Sequence, residues 1–246
     1  LIAKGFTAES GHWYTRDGEP AYTVQGARGE RPTTLRDARK LSLVPSVTSI
    51  INVASKPGLE KWKQQQLLLA ALTLPKIDSE SEDDYIDRII RDSKEQGKAA
   101  ADAGTEIHAS IEAFYLGQDK GHIPYVKGAV DAILESFGPQ AWIPERSFSH
   151  ELGYGGKVDL HCPTIVLDVK TKEFTDKVEA FDDHIMQLAA YRAGLGIPNA
   201  RCANVFVSRS VPGLVKIIEH SEADIKKGFE MFYHLLKYWQ LSKGYE

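Results

Sequence analysis

The sequence predicts a mixed α/β fold, an α+β arrangement in which helices flank one mixed sheet, and three observations carry that prediction. Three strand-like segments follow one another closely, at 142–151, 155–161 and 164–170. A helical pattern at 182–195 separates them from two further strand-like segments, 201–207 and 214–219. Amphipathic helical patterns stand before and after, at 82–116, 126–137 and 223–241. Strands joined by tight turns pair antiparallel, whereas a strand reached through a helical crossover adds in parallel. A mixed sheet follows.

Each element has local grounds. Near the N-terminus, 12–15 and 21–24 flank the turn signal Arg16-Asp17-Gly18-Glu19, which predicts a hairpin. The stretch 26–40, rich in Gly, Arg and Thr, reads as a loop. Pro45-Ser46-Val47-Thr48-Ser49-Ile50 reads as a helix start with Ser46 as its cap. A helix runs from Pro57-Gly58 to about Leu72 and bears Trp62. The acidic run at 78–87 opens the next helix as a solvated face, and a break is expected near Gly97 or Gly104. Gly153, Gly155-Gly156 and Cys162-Pro163 mark the turns between the first three strands, and Gly196-Ile197-Pro198 stops the helix that follows.

Bulk properties narrow the class. The 246 residues are 42% hydrophobic and 26% charged, which suits one large domain or a core with a smaller appendage. A formal net charge of -4 excludes a globally basic nucleic-acid binder but permits a local basic groove. The two cysteines, Cys162 and Cys202, form no Cys-x-x-Cys pair, so no zinc ribbon is expected. Nor do they supply the thiolates of an iron–sulfur cluster, and a reduced intracellular setting is the default. No segment has transmembrane length, so no membrane partner is expected.

The chemistry centres on Asp168-Val169-Lys170, at the end of the apolar run that begins at Ile165. Alternate strand residues share a face, so Asp168 and Lys170 stand side by side. Charges at the end of a core strand need a partner or a task. An ordinary Asp–Lys ion pair is the plain alternative. Asp159, in Gly155-Gly156-Lys157-Val158-Asp159, precedes Asp168 by one hairpin, and its glycines permit a tight bend or a close approach by substrate backbone. Two carboxylates on paired strands can hold a hard divalent cation, and a lysine beside them can orient water or stabilise charge on a phosphate. His108 lies on the helix Gly104-Thr105-Glu106-Ile107-His108 and offers an imidazole ligand. Glu112, one turn on, reads as a neighbour or surface acid. Gln187 and Tyr191 share a helical face and can hold a phosphate or the lysine. Each of these singly is as compatible with core packing.

In order along the chain, Gly104-Thr105…His108, Gly156…Asp159, Asp168-Val169-Lys170 and Gln187…Tyr191 resemble the motifs of the PD-(D/E)xK nuclease superfamily, in its RecB-like exonuclease branch. Pro45-Ser46-Val47-Thr48 is similar to a segment of mitochondrial genome-maintenance and phage exonucleases of that branch. The resemblance implies a restriction-endonuclease-like αβββαβ core with added N-terminal helices and hairpin. It implies Mg²⁺ or Mn²⁺ held by His108, Asp159, Asp168 and the Val169 carbonyl, with Lys170 catalytic and Gln187 and Tyr191 supporting it. Glu145 resembles a further acidic position. Branches with an iron–sulfur cluster carry four cysteines, so the cluster-free type is implied. Residues 1–95 are then an N-terminal hairpin and helical region walling a DNA channel, and 96–246 the nuclease core, in one compact unit. Ser46 and Thr48 would donate to phosphates, and Trp62 and Lys98 would line the channel, although Trp62 fits core packing better.

The implied activity is metal-dependent hydrolysis of DNA, as an exonuclease on single strands or free ends in replication, recombination or repair. A catalytically silent DNA-binding module and a restriction-type endonuclease are the alternatives. With no Gly-x-x-x-x-Gly-Lys-[Ser/Thr] loop in the chain, a separate helicase or single-strand-binding protein is the expected partner. No Arg-rich, acid-poor leader is visible, which favours the cytoplasm of a bacterium or phage-infected cell, with an organellar origin as the other choice.

Overall fold

The computed structural model describes residues 12–245. The N-terminal part holds β1 (Trp13–Tyr14), β2 (Thr23–Gly26), β3 (Gly29–Pro32), α1 (Leu35–Leu41), β4 (Val44–Pro45) and α2 (Val47–Ile51). Two long helices follow, α3 (Pro57–Thr73) and α4 (Glu82–Tyr115), and then α5 (Ile123–Phe137). The remaining elements are β5 (Ile143–His150), β6 (Tyr154–Cys162), β7 (Ile165–Lys172), α6 (Asp182–Gly194), β8 (Arg201–Ser208), β9 (Val215–His220) and α7 (Glu222–Lys243). The expected αβββαβ order is present, with β9 and α7 added to it.

Five strands form the main sheet in the order β5-β6-β7-β8-β9. The β5–β6, β6–β7 and β8–β9 pairs are antiparallel, and β7–β8, joined through α6, is parallel. One apolar cluster packs Val158 and Val166 against α6 and α7, and it takes in Trp13 and Val47, Ile50 and Ile51 of α2. The other packs Leu160, Leu167, Val169 and Val205 against Ile107 and Ile111 of α4 and Ile133 of α5. The N-terminal segment is tied to the sheet through the bridge between Ser46 and Gly155.

Three sequence expectations are modified. The hairpin predicted at 12–24 is present but short: about the Tyr14–Pro20 bridge the Ala21 N–H donates to the Trp13 carbonyl and the Thr15 N–H to the Glu19 carbonyl, each at 2.8 Å, and β1 pairs with β4 along its other edge. The stretch 26–40 is not a loop: β2 and β3 form a hairpin there, and α1 follows with a capping box between Thr34 and Asp37. Thr34, one of the threonines that suggested a loop, forms the cap with Asp37. Finally, α4 runs unbroken for 34 residues through Gly97 and Gly104. A helical glycine costs about 1 kcal/mol relative to alanine, and here close packing requires one at 104, whereas the space at 97 would take a Cβ in ordinary contact. A Cβ on Gly97 would meet the Trp62 ring at 3.5 Å, and one on Gly104 would lie 2.4 Å from the Thr171 hydroxyl.

Candidate active site

The site forms where the central hairpin comes apart. Pairing of β6 with β7 runs from Cys162–Ile165 to Leu160–Leu167 and stops there, one residue short of Asp159 and Asp168. Pairing of β5 with β6 skips Glu145 and Asp159, and Glu145 takes a left-handed backbone with φ 54°. Val158 packs with the α6–α7 side and Leu160 with the α4–α5 side, so the alternation of faces breaks at Asp159. Strand sterics disfavour that conformation for a non-glycine residue. It places three acids, Glu145, Asp159 and Asp168, at one level of three adjacent strands.

Asp159 turns its carboxylate into the gap left by the missing ladder. Its Oδ2 accepts the Val169 N–H at 2.7 Å and lies 3.1 Å from His108 Nε2. Gly104 makes the second contact feasible. Without a side chain there, α4 approaches Thr171 closely enough for His108, one turn further on, to reach the sheet. Asp168 is 1% exposed at its side chain, against 16% for Asp159, so solvent reaches the pair from the Asp159 side. Asp168 Oδ1 accepts from Lys170 Nζ at 2.7 Å, and its Oδ2 accepts from Asn204 Nδ2 at 2.8 Å. Lys170 Nζ also donates to Gln187 Oε1 at 3.0 Å, and Gln187 Nε2 donates to the Tyr191 hydroxyl at 2.8 Å. The shared helical face of Gln187 and Tyr191 thus becomes a buttress for the lysine. Gly156 lets β6 pass under Tyr191, since a Cβ there would sit 2.9 Å from the Tyr191 and Phe148 rings. The close approach read from these glycines is made by the protein itself: by the Tyr191 and Phe148 rings at Gly156, and by Tyr14 and the Phe148 backbone carbonyl at Gly155.

The charges shift one another. Burial pushes the Asp168 carboxyl up to about 6; Lys170 offsets part of this and the Asp159 charge adds to it. Burial would also raise Asp159, but His108, Lys170 and the Val169 N–H outweigh it and hold Asp159 below the usual carboxylate range. The Asp159 charge raises His108 above an ordinary imidazole despite burial. Burial alone would lower Lys170, yet Asp168 and Asp159 keep it raised, so it is a cation. Tyr191 is raised well above a free phenol, chiefly by burial, and stays neutral.

His108, Glu112 and Glu145 bring one ligand atom each within 4.8 Å of one another. Glu112, which reads from sequence as a neighbour or surface acid, is half-buried beside His108. Both Glu145 oxygens are sheltered and have no hydrogen-bond partner among the described residues, while the carboxylate forms an ion pair with Lys157. Imidazole nitrogen and carboxylate oxygen form a donor set that suits a hard divalent cation.

Ser46 caps α2 by accepting the Ser49 N–H at 3.0 Å, as its position in the sequence predicts. Ser46 and Thr48 line a cavity of about 180 Å³ with Tyr14, Tyr22, Lys157 and Tyr191, which brings them to the edge of the site. Trp62 is not in the core: it is 37% exposed on α3 and lies against Gly97. Lys98 is exposed next to it on α4. Neither lines that cavity. Sequence reasoning missed Asn204 and Lys157 and gave Glu112 no part beyond that of a neighbour. Asn204 carried a signal, as an amide inside the apolar run 202–207.

No family model and no curated protein matches the chain. Among solved structures it is similar to the alkaline exonuclease LHK-Exo from Laribacter hongkongensis, at 17% identity and a TM-score of 0.39 over 76% of this chain and 95% of that one. The same exonuclease in complex with dAMP gives 16% identity and a TM-score of 0.37. A structure described as SSO0001 gives 17% and 0.31 over 72% of this chain and 85% of that one. Likeness at that level does not define chemistry, which rests on the side chains themselves. No helix among the described residues is long and apolar enough to cross a membrane.

Proposed function

We propose that this chain is a Mg²⁺- or Mn²⁺-dependent DNA nuclease that hydrolyses phosphodiester bonds as an exonuclease on single strands or free ends. The observation that carries the reading is the meeting of Asp159, Asp168, Lys170 and His108 at the point where β6 and β7 part. An ion pair serving structure alone needs neither a second carboxylate on the next strand nor an imidazole from a distant helix. His108, Asp159 and Asp168 would hold the cation. The Val169 carbonyl would join them, because extended backbone sends the N–H and C=O of one residue to the same edge. Glu112 and Glu145 supply further carboxylates beside His108. A divalent cation bound there would polarise a phosphoryl oxygen and make a water more acidic.

The protein's own groups do the rest. Lys170, kept charged by two acids, serves as a fixed cation that orients water and stabilises charge building on the phosphate; it is no proton acceptor. Gln187 holds the ammonium and Tyr191 holds Gln187, so the lysine has one position. Tyr191 accepts from Gln187 and keeps its own proton free to donate toward the cavity that it lines with Ser46, Thr48 and Lys157. In this reading the described part of 1–95 walls the groove, Ser46 and Thr48 meet phosphates, and Trp62 and Lys98 meet more distant nucleotides.

The deciding experiment is cleavage of end-labelled single- and double-stranded DNA, and of closed circles, with and without Mg²⁺ or Mn²⁺. Metal-dependent loss of ends, abolished by Asp168→Ala and by Lys170→Ala with the fold intact, is expected. Tight DNA binding without cleavage in any divalent metal would make the protein a silent binding module, and cleavage of closed circles an endonuclease.

A further inference from the structure

Asp168 is held from behind as well as from the front. Its Oδ2 accepts the Asn204 Nδ2–H at 2.8 Å, and Asn204 Oδ1 lies 2.8 Å from His220 Nε2. Asn204 is fully buried on β8, opposite Asp168 in the parallel ladder, and His220 ends the neighbouring strand β9. An amide has two faces that differ only in which atom donates. With Oδ1 toward Asp168, Asn204 would set an acceptor against an acceptor. The carboxylate only accepts, so it takes the Nδ2–H face of Asn204, and the Oδ1 left over is held at the other side by His220 in its Nε2–H form.

We infer that Asn204 and His220 are positioning residues for the proposed cation site, His220 fixing the Asn204 amide and the amide fixing the Asp168 carboxylate. The inference rests on the proposed reading of that site. Three side chains on three adjacent strands form one line from the edge strand β9 to the reactive carboxylate. Because Asp168 Oδ2 is tied down, the carboxylate cannot rotate away, and Oδ1 stays on the Lys170 side. Groups that orient a metal ligand from behind typically change metal affinity by about 10–100-fold when removed.

The test is titration calorimetry of the full chain with Mn²⁺ alone, at a temperature where circular dichroism shows every variant folded. Asn204→Ala should weaken Mn²⁺ binding about tenfold, and His220→Ala should weaken it several-fold. The Asn204→Ala/His220→Ala pair should be no weaker than Asn204→Ala, since one line of bonds is being cut twice. His220→Gln, whose amide can donate to Asn204 Oδ1, should restore affinity, whereas His220→Glu, an acceptor, should not. Equal affinity for His220→Ala and wild type overturns the inference, as does equal behaviour of His220→Gln and His220→Glu. A wild type that binds no Mn²⁺ and cuts no DNA overturns the reading of the site and the inference with it. Binding by wild type with unaltered variants removes the inference alone.

Discussion

The β6–β7 hairpin has two unlike ends. Near its turn, Leu160, Cys162, Ile165 and Leu167 pair in register and are buried. At the other end the ladder is absent: the Asp159 carboxylate takes the Val169 N–H in its place, and Asp168 pairs with Lys170 beside it. The first end gains from removing apolar surface from water. The second end pulls the other way, since a wholly buried carboxylate is pushed up to about 6. One hairpin thus joins a stabilising end to a strained one, and the rigid end fixes the geometry of the other.

Substitutions that break the charged end should have the largest effect, and it should be on activity. Lys170→Met should lower cleavage by roughly 10²–10³-fold, and Asp168→Asn by at least as much, measured on end-labelled DNA, with melting temperatures little changed. At the apolar end the opposite split is expected. Leu167→Ala should cost about 2–5 kcal/mol of stability in urea unfolding, with Mn²⁺ affinity retained by the folded fraction.

A pH series sharpens the contrast between the ends. Asp168 has a raised value, so it takes up a proton as pH falls through about 6. His108, also raised, is protonated below its own value and then cannot ligate. Both effects have the same sign, so Mn²⁺ affinity should begin to fall above the ordinary imidazole value, as His108 takes up its proton, and fall further below about pH 6, up to about tenfold per pH unit for each required proton. Flat affinity between pH 7 and 5 would show that neither group is a ligand. The smallest effect belongs to the spacing of α4. Gly104→Ala forces Thr171 to move but adds helix propensity worth about 1 kcal/mol. Stability should change little while Mn²⁺ affinity drops a few-fold, and Thr171→Ala should recover it.

What sequence reasoning could reach depended on the range of each interaction. Asp168 with Lys170 and Gln187 with Tyr191 are set by strand and helix periods, and both pairs meet as those periods require. The parallel placement of β8 followed from its helical crossover. His108 reaches Asp159 from a helix some 50 residues upstream, and only the order of motifs suggested that meeting. The helix period set Glu112 beside His108 and Asn204 stood out as an amide in an apolar run, but their partners, like that of Lys157, depend on a break in β6 and on register across strands that no local pattern encodes. The β2–β3 hairpin was missed because its strands are exposed and carry no apolar alternation.

The unbroken course of α4 acts as a gauge. Trp62 rests against Gly97 at one point on this helix, and His108 leaves it eleven residues later. At about 1.5 Å of rise per residue the two points stand about 16 Å apart along the axis. Neither glycine interrupts the rod: Gly97 lies in ordinary contact with Trp62, and Gly104 packs tightly on Thr171. A polymer touching the exposed indole and the imidazole together must therefore cover one constant length, whatever its sequence.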